Sequence, residues 1–198
     1  MTKSLMISIH KKHVDNIKNK LKTLELRTWL PKLNGLKGIW VYIYEPLKNN
    51  GVGGVIGRFW FDGYATFEYT TIWGESDYIS NNGVDSIGSW RVDGSYLDKL
   101  CLDYQDVLDY GFREKPKPYQ KTLYAWHINN LEIFDKPKEL SDFYKRIDGL
   151  DEDGKFMLSS LKDGETVTIP ELKKKYLLSK PPQRSVWVYT KELENEII

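Results

Sequence analysis

The segment at residues 38–44 most constrains the fold, because its side chains are apolar or aromatic on both faces. Strand side chains alternate between two faces, so one face is aliphatic and the other is aromatic. The first face carries Ile39, Val41 and Ile43, and the second carries Trp40, Tyr42 and Tyr44. Such a strand must be covered on both sides, or its aromatic face must receive a ligand.

The remainder of the chain reads as strands separated by helices. Alternating or continuous apolar runs predict strands at 5–10, 23–27, 55–62, 122–134 and 185–189. Helical spacing predicts a helix at 11–20, and we also expect a helix at 137–147. This order predicts an α+β domain whose small sheet closes on itself, which would cover both faces of the central strand.

Residues from about 69 to 120 depart from this pattern, because clusters of Gly, Ser, Asn and Asp interrupt the strand alternation. Within them, residues 95–110 place their apolar side chains on one helical face. We therefore expect a single domain over residues 1–198 with a helical insertion at about 69–120. We also expect a long, charged additional region that extends over about 142–178.

Composition limits the classes of function. The 29 Lys and Arg residues balance 28 Asp and Glu residues, so net charge gives no indication of a polyanionic partner. The single cysteine, Cys101, excludes an internal disulfide and is typical of a reducing cytosol. No apolar run is long enough to span a membrane, and the N-terminus lacks the apolar core of a signal peptide. We therefore expect a cytoplasmic protein with no membrane partner.

The segment at residues 22–27 is the strongest candidate site. Alternation turns its two leucines toward a core and places Thr23, Glu25 and Arg27 on the opposite face. Arg27 can hold a phosphate through two hydrogen bonds, and Lys22 can add a second cation. Glu25 can orient a cation or accept a hydrogen bond from a base. The alternative is an ion-pair ladder at the surface, worth under about 1 kcal/mol.

Two motifs, together with the order of the elements, carry a family resemblance. After the first helix, Lys22, Glu25 and Arg27 match a G-x-K-x-x-E-x-R-like signature, with Lys20 at the glycine position. Before the last strand, Pro181-Pro182-Gln183-Arg184-Ser185 is similar to a P-P-Q-S-like motif with an arginine before or in place of its serine. The chain therefore resembles the ASCH domains of the PUA-like superfamily over most of its length.

This resemblance implies a PUA-like small mixed β-barrel flanked by helices, with a cleft beside the 22–27 strand. It implies that RNA or a nucleotide binds there, and a single-stranded or modified nucleotide would suit a small cleft. Tyr44 would stack on a base, while Gln183 and Arg184 would close the cleft. A protein partner and the oligomeric state are left open.

The resemblance also brings in two enzymatic alternatives. Relatives that act on acylated cytidine use a lysine and, three positions later, a threonine, where this chain carries Glu25. In an amidohydrolase, Lys22, Thr23 and Glu25 would be the catalytic residues, with Thr23 as the nucleophile. In a ribonuclease, Lys22 and Arg27 would stabilise the charged phosphorane. A third alternative is a protein-interaction module that uses the helical region at 95–110.

We expect no metal site and no cofactor. His10 and His13 are three residues apart but have no evident third ligand. The acidic segment at residues 151–154 lacks the ligand series and terminal glutamate of a calcium loop.

Overall fold

The computed structural model describes residues 4–33, 36–72, 75–81, 90–91, 94–112, 122–145, 178–183 and 185–190. The first half of the chain contains β1 (Ser4–Ser8), α1 (Lys11–Lys18), β2 (Leu24–Arg27), β3 (Ile39–Glu45), β4 (Gly54–Phe61), β5 (Tyr64–Ile72), β6 (Glu75–Asn81) and β7 (Trp90–Arg91). The second half contains α2 (Gly94–Leu100), α3 (Tyr104–Phe112), β8 (Thr122–His127), β9 (Asn129–Lys138), a 3-10 turn (Leu140–Asp142), β10 (Phe143–Lys145) and β11 (Ser185–Thr190).

The first of two compact units takes its described residues from Met1–Lys11, Ile39–Phe59 and Leu131–Ile198. In the described part of this unit, six strands form a sheet in the order β10-β11-β1-β3-β4-β9, with β1 parallel to β3 and antiparallel to β11. The aliphatic face of β3 is buried, and so are Tyr42 and Tyr44 on its aromatic face, where Trp40 is half-buried. Its apolar cluster contains Met6, Tyr42, Tyr44, Val55, Phe143, Leu178 and Val188.

The second unit takes its described residues from Lys12–Gly38 and Trp60–Asn130. The described residues of this unit form a sheet of five strands in the order β2-β8-β5-β6-β7. One face of this sheet packs on α2 and α3 through an apolar cluster. The cluster contains Leu24, Leu26, Ala65, Phe67, Leu100, Val107, Leu123 and Ala125.

Strands occupy much of the region that we expected to be a helical insertion. β5 extends to Ile72, and β6 pairs with it antiparallel over seven residue pairs. The expected helix at 95–110 occurs as α2 and α3, because Cys101 adopts a φ of 51° and ends α2 in the left-handed conformation. The turn-forming residues in this region therefore did not prevent strand formation, since strand pairing outweighed local propensity. The assignment of residues 1–198 to one domain stays a prediction.

The helix predicted at residues 137–147 is wrong over its described part. β9 continues to Lys138, and Phe143 begins β10 after the single 3-10 turn. Glu139 and Asp142 cap that turn reciprocally, and the Glu139 N–H donates to Asp142 Oδ2 at 3.0 Å. β10 then pairs with β11, which buries Phe143 and outweighs the helical spacing. The remainder of the predicted extended region, from residue 146 to residue 177, lies outside the described residues.

The described residues form a mixed α+β fold in which strands predominate, as the sequence predicted. The strand pairings of both sheets run from edge to edge in this part of the chain, so the closed barrel stays a prediction. No helix in the described ranges combines the length and the apolar character needed to cross a membrane.

Candidate functional site

The strand β2 positions the candidate site within the second unit. β2 pairs antiparallel with β8, which sets Glu25 opposite Trp126 and Arg27 opposite Tyr124. Leu24 is buried in the apolar cluster beneath the sheet, as predicted, so Glu25 and Arg27 belong to the other face. The local alternation therefore determines which side of the sheet carries the charged residues.

Glu25 joins two cations. Its Oε1 lies 2.9 Å from Arg27 Nη2, and its Oε2 lies 3.5 Å from Lys22 Nζ. Lys22, Glu25 and Arg27 are only 3%, 7% and 8% exposed. The alternative of an ion-pair ladder at the surface therefore does not hold, although the ion pairs themselves are present. Two cations and one carboxylate leave one net positive charge, which water screens less at a buried site than at the surface.

Lys22 links this trio to the end of α2. Its Nζ donates a hydrogen bond to the Leu100 carbonyl oxygen at 2.8 Å. The carbonyls of a last helical turn have no partner inside the helix, and a cation there interacts favourably with the helix dipole. Lys22 therefore holds α2 against β2, while its contact with Glu25 extends this link toward Arg27.

Thr23, the predicted nucleophile, is exposed and precedes the first residue of β2. Its N–H donates to the Lys99 carbonyl at 2.9 Å, and its own carbonyl accepts from the Ile128 N–H at 3.0 Å. The backbone of Thr23 thus continues the attachment of β2 to its neighbours. Its side chain does not share the buried surroundings of Glu25.

The other predicted site residues belong to the first unit. Tyr44 is 5% exposed and packs in the apolar cluster of that unit, so it offers no open ring face. Ser8 Oγ donates to the Pro182 carbonyl oxygen at 2.6 Å, which ties the proline-rich segment to β1, and Gln183 beside it is exposed. Arg184 lies outside the described residues. The convergence of these residues with the 22–27 strand stays a prediction.

Sequence reasoning missed two tyrosines on the same face as Arg27. Tyr124 lies opposite Arg27 across the β2–β8 pair, and the Tyr64 ring lies 5.7 Å from the Tyr124 ring at an interplanar angle of 80°. The alternation of aromatic and small apolar residues in β8 was the available signal. It could not reveal the contact with β2, which lies about 100 residues earlier in the chain.

A third aromatic residue on this face, Trp126, is fully buried. It packs edge-to-face with Trp29 at 5.0 Å between ring centroids and lies 4.8 Å from the Phe61 ring. Because Trp126 lies opposite Glu25, these rings cover the sheet beside the ion pair and shield it from water.

Of the metal-ligand candidates weighed from the sequence, His10 and His13 belong to the described residues, whereas the acidic segment at residues 151–154 lies outside them. Within the ranges that the structure describes, no three His, Cys, Asp or Glu side chains are grouped so that they could hold a metal ion.

Two solved structures share the fold of this chain. The crystal structure of ASCH from Zymomonas mobilis covers 98% of this chain and 92% of its own, with a TM-score of 0.53 and 16% sequence identity. The crystal structure of a substituted variant of that protein gives the same coverage and identity, with a TM-score of 0.51. No family model and no curated protein matches the sequence. The chain therefore has the fold of an ASCH domain protein, as its sequence resemblance predicted.

Proposed function

We propose that the chain binds a nucleic acid or nucleotide, with RNA preferred, beside β2, and that Arg27 holds a phosphate. The observation that carries this proposal is the buried 2.9 Å contact between Glu25 and Arg27. A carboxylate that fixes a guanidinium keeps its planar fork in one orientation, and this fork matches the oxygens of a phosphate. Pre-organisation of this kind lowers the entropy cost of binding.

The three charged residues take different roles in this proposal. Arg27 contacts the phosphate, and Glu25 is a positioning residue that orients the guanidinium. Lys22 adds positive charge without direct contact, because its ammonium already engages the Leu100 carbonyl and Glu25. This separation refines the sequence-based interpretation, which assigned phosphate contact to both cations.

The proline-stiffened segment of the first unit supplies the second part of the proposal. Gln183 is exposed beside Pro182, whose carbonyl is held by Ser8. An exposed amide on an anchored segment can read a base edge, and Arg184 next to it can hold a phosphate. We propose no catalytic step for Lys22, Thr23 and Glu25, because Thr23 is exposed whereas the lysine is buried.

The test compares two arginines that are each ion-paired to a glutamate. Arg58 Nε lies 2.7 Å from Glu132 Oε2 in the first unit, so Arg58→Gln removes one charge from a similar pair. Affinity for a labelled single-stranded RNA is measured by fluorescence anisotropy, with thermal unfolding as a check on folding. We expect Arg27→Gln to weaken binding roughly 10-fold to 150-fold, the range of one charge-assisted hydrogen bond.

Arg58→Gln should change the affinity by less than about threefold, because it removes the same formal charge without removing a direct phosphate contact. Equal affinities of wild type and folded Arg27→Gln would overturn the proposed role of Arg27. Equal losses in both variants would show that only total charge matters and would overturn the proposed site.

A further inference from the structure

We infer that Tyr64 and Tyr124 form a stacking platform for unpaired nucleobases, which extends the Arg27 phosphate site across the sheet. This inference rests on the proposed function, and it assigns a ligand class, a single-stranded nucleic acid. Neither tyrosine carries a role in the sequence-based site. The argument depends on the register of three neighbouring strands and on the exposure of the two rings.

Strand register places the cation and the two rings on one face. Arg27 lies opposite Tyr124 across β2 and β8, while Tyr64 lies opposite Trp126 across β5 and β8. Residues opposite each other in an antiparallel pair share a face, and so do those two positions away on the same strand. Because adjacent strands lie about 4.8 Å apart, β5 lies roughly 10 Å from β2. A nucleotide can span that separation between its phosphate and its base.

The core of the second unit does not require these rings. The opposite face of β5 and β8 supplies Ala65, Phe67, Leu123 and Ala125 to the cluster against α2 and α3. Tyr64 is 37% exposed and Tyr124 is half-buried. The two tyrosines therefore keep accessible area on the face away from the helices, unlike Trp126 on that face, which is fully buried.

The two rings are held in a fixed arrangement. Their edge-to-face geometry, at 5.7 Å and 80°, is a favoured contact between aromatic side chains. Each ring has few rotatable bonds, so little further ordering is needed when a base stacks on it. An aromatic pair with exposed area on the sheet face that carries Arg27 is typical of surfaces that bind single strands through stacking and phosphate contacts together.

These features predict whether the bound nucleic acid is single-stranded or a duplex. Bases in a duplex are stacked on each other and do not present a free face to the protein, whereas bases in single strands do. The platform therefore predicts preference for an unpaired segment over a duplex of the same sequence. It also predicts that affinity depends on the bases themselves and not only on the phosphates.

The experiment compares an ordinary single-stranded RNA with an abasic strand that keeps the same number of phosphates. Both probes are titrated against wild type, the double variant Tyr64→Leu/Tyr124→Leu and the conservative double variant Tyr64→Phe/Tyr124→Phe. Wild type should bind the ordinary strand more tightly by roughly 5-fold to 150-fold, the range expected for one stacked base. The leucine variant should bind both probes equally, and the phenylalanine variant should retain the wild-type preference.

Thermal unfolding checks that the leucine double variant is folded, because a misfolded protein would also bind both probes equally. If the double variant does not fold, the single variant Tyr64→Leu, at the more exposed position, carries the comparison and should lower the preference for the ordinary strand. A leucine variant that keeps the wild-type ratio would overturn the platform and leave the proposed phosphate site intact. So would a wild type that binds both strands equally. A wild type that binds neither strand would overturn the proposed function and the platform together.

Discussion

Glu25 and Arg27 occupy alternate positions of a four-residue strand and form a 2.9 Å ion pair whose side chains are only 9% and 10% exposed. A buried ion pair contributes little net stability compared with apolar residues, but breaking it leaves an uncompensated charge. A pair of this kind suits a positioning role, because it fixes the guanidinium in one geometry.

Glu25→Gln should destabilise the protein strongly. The substitution leaves Lys22 and Arg27 buried without their shared carboxylate, which costs about 3–5 kcal/mol. Glu132→Gln is the matched control, because it removes the carboxylate from the half-exposed pair with Arg58 and should cost about 1 kcal/mol or less. Urea unfolding measures both values. Similar small losses in the two variants would contradict a buried role for Glu25.

Lys22→Met should loosen the end of α2. Methionine is similar in length to the aliphatic part of lysine but lacks the ammonium, so the hydrogen bond to the Leu100 carbonyl is lost. We expect this loss to cost about 1.5–3 kcal/mol. Amide exchange in residues 97–101 should accelerate. Lys99→Met on the same helix removes an exposed cation near the Tyr96 ring and should cost under about 1 kcal/mol. Unchanged exchange in Lys22→Met would show that the lysine does not hold the helix.

The salt dependence of RNA binding should report the Arg27 contact directly. Each phosphate neutralised on a single strand contributes about 0.7 to the slope of log affinity against log salt concentration. Arg27→Gln should reduce the slope by about this amount, while Arg58→Gln should leave it unchanged. Arg27→Lys should keep the slope but bind more weakly, because an ammonium lacks the planar fork. A slope that Arg27→Gln does not alter would exclude the phosphate contact.

Ser8→Ala should release the proline-rich segment from β1. The Ser8 hydroxyl donates to the Pro182 carbonyl at 2.6 Å across 174 positions of the chain. Its loss should cost about 1 kcal/mol and should weaken RNA binding, because it frees the segment that carries Gln183. Ser141→Ala, which removes a local hydrogen bond to Glu139, is the control and should change stability by under about 0.5 kcal/mol. Unfolding curves and RNA-binding anisotropy are measured on both variants. If Ser8→Ala binds RNA as tightly as wild type does, the proposed role of this segment is contradicted.

The stability contribution of Arg58 should not vary with pH near neutrality. Burial lowers the pKa of Arg58, but its hydrogen bonds to Glu132 and Tyr42 raise it, and the net direction is upward. A raised pKa adds stability that is present below the unfolded-state pKa and is lost only as pH rises through the folded-state pKa. Both values lie well above neutrality. The cost of Arg58→Gln should therefore be equal at about pH 6 and pH 9, and a smaller cost at pH 9 would contradict this.

The helix predicted at residues 137–147 shows where a local sequence pattern fails to predict secondary structure. Spacing along the chain describes neighbours within a few positions, whereas β10 forms because Phe143 pairs with β11 more than 40 residues later. The same limit applies to α2 and α3. Their apolar spacing was visible in the sequence, but the left-handed conformation of Cys101 between them was not.

The sequence by itself determined that β3 carries apolar or aromatic side chains on both faces, that β2 turns its leucines inward, and that an acid lies between two bases in the 22–27 segment. Alternation alone carries this information, since it depends only on adjacent residues. Tertiary structure decided that Lys22, Glu25 and Arg27 are buried, because the end of α2, 78 positions away, meets the lysine. It also placed Tyr124 opposite Arg27, and it placed the Tyr64 ring against the Tyr124 ring. These contacts form because strands that are distant in the chain pair to bury a shared apolar face. A pattern of neighbouring residues contains no information about which distant strands pair.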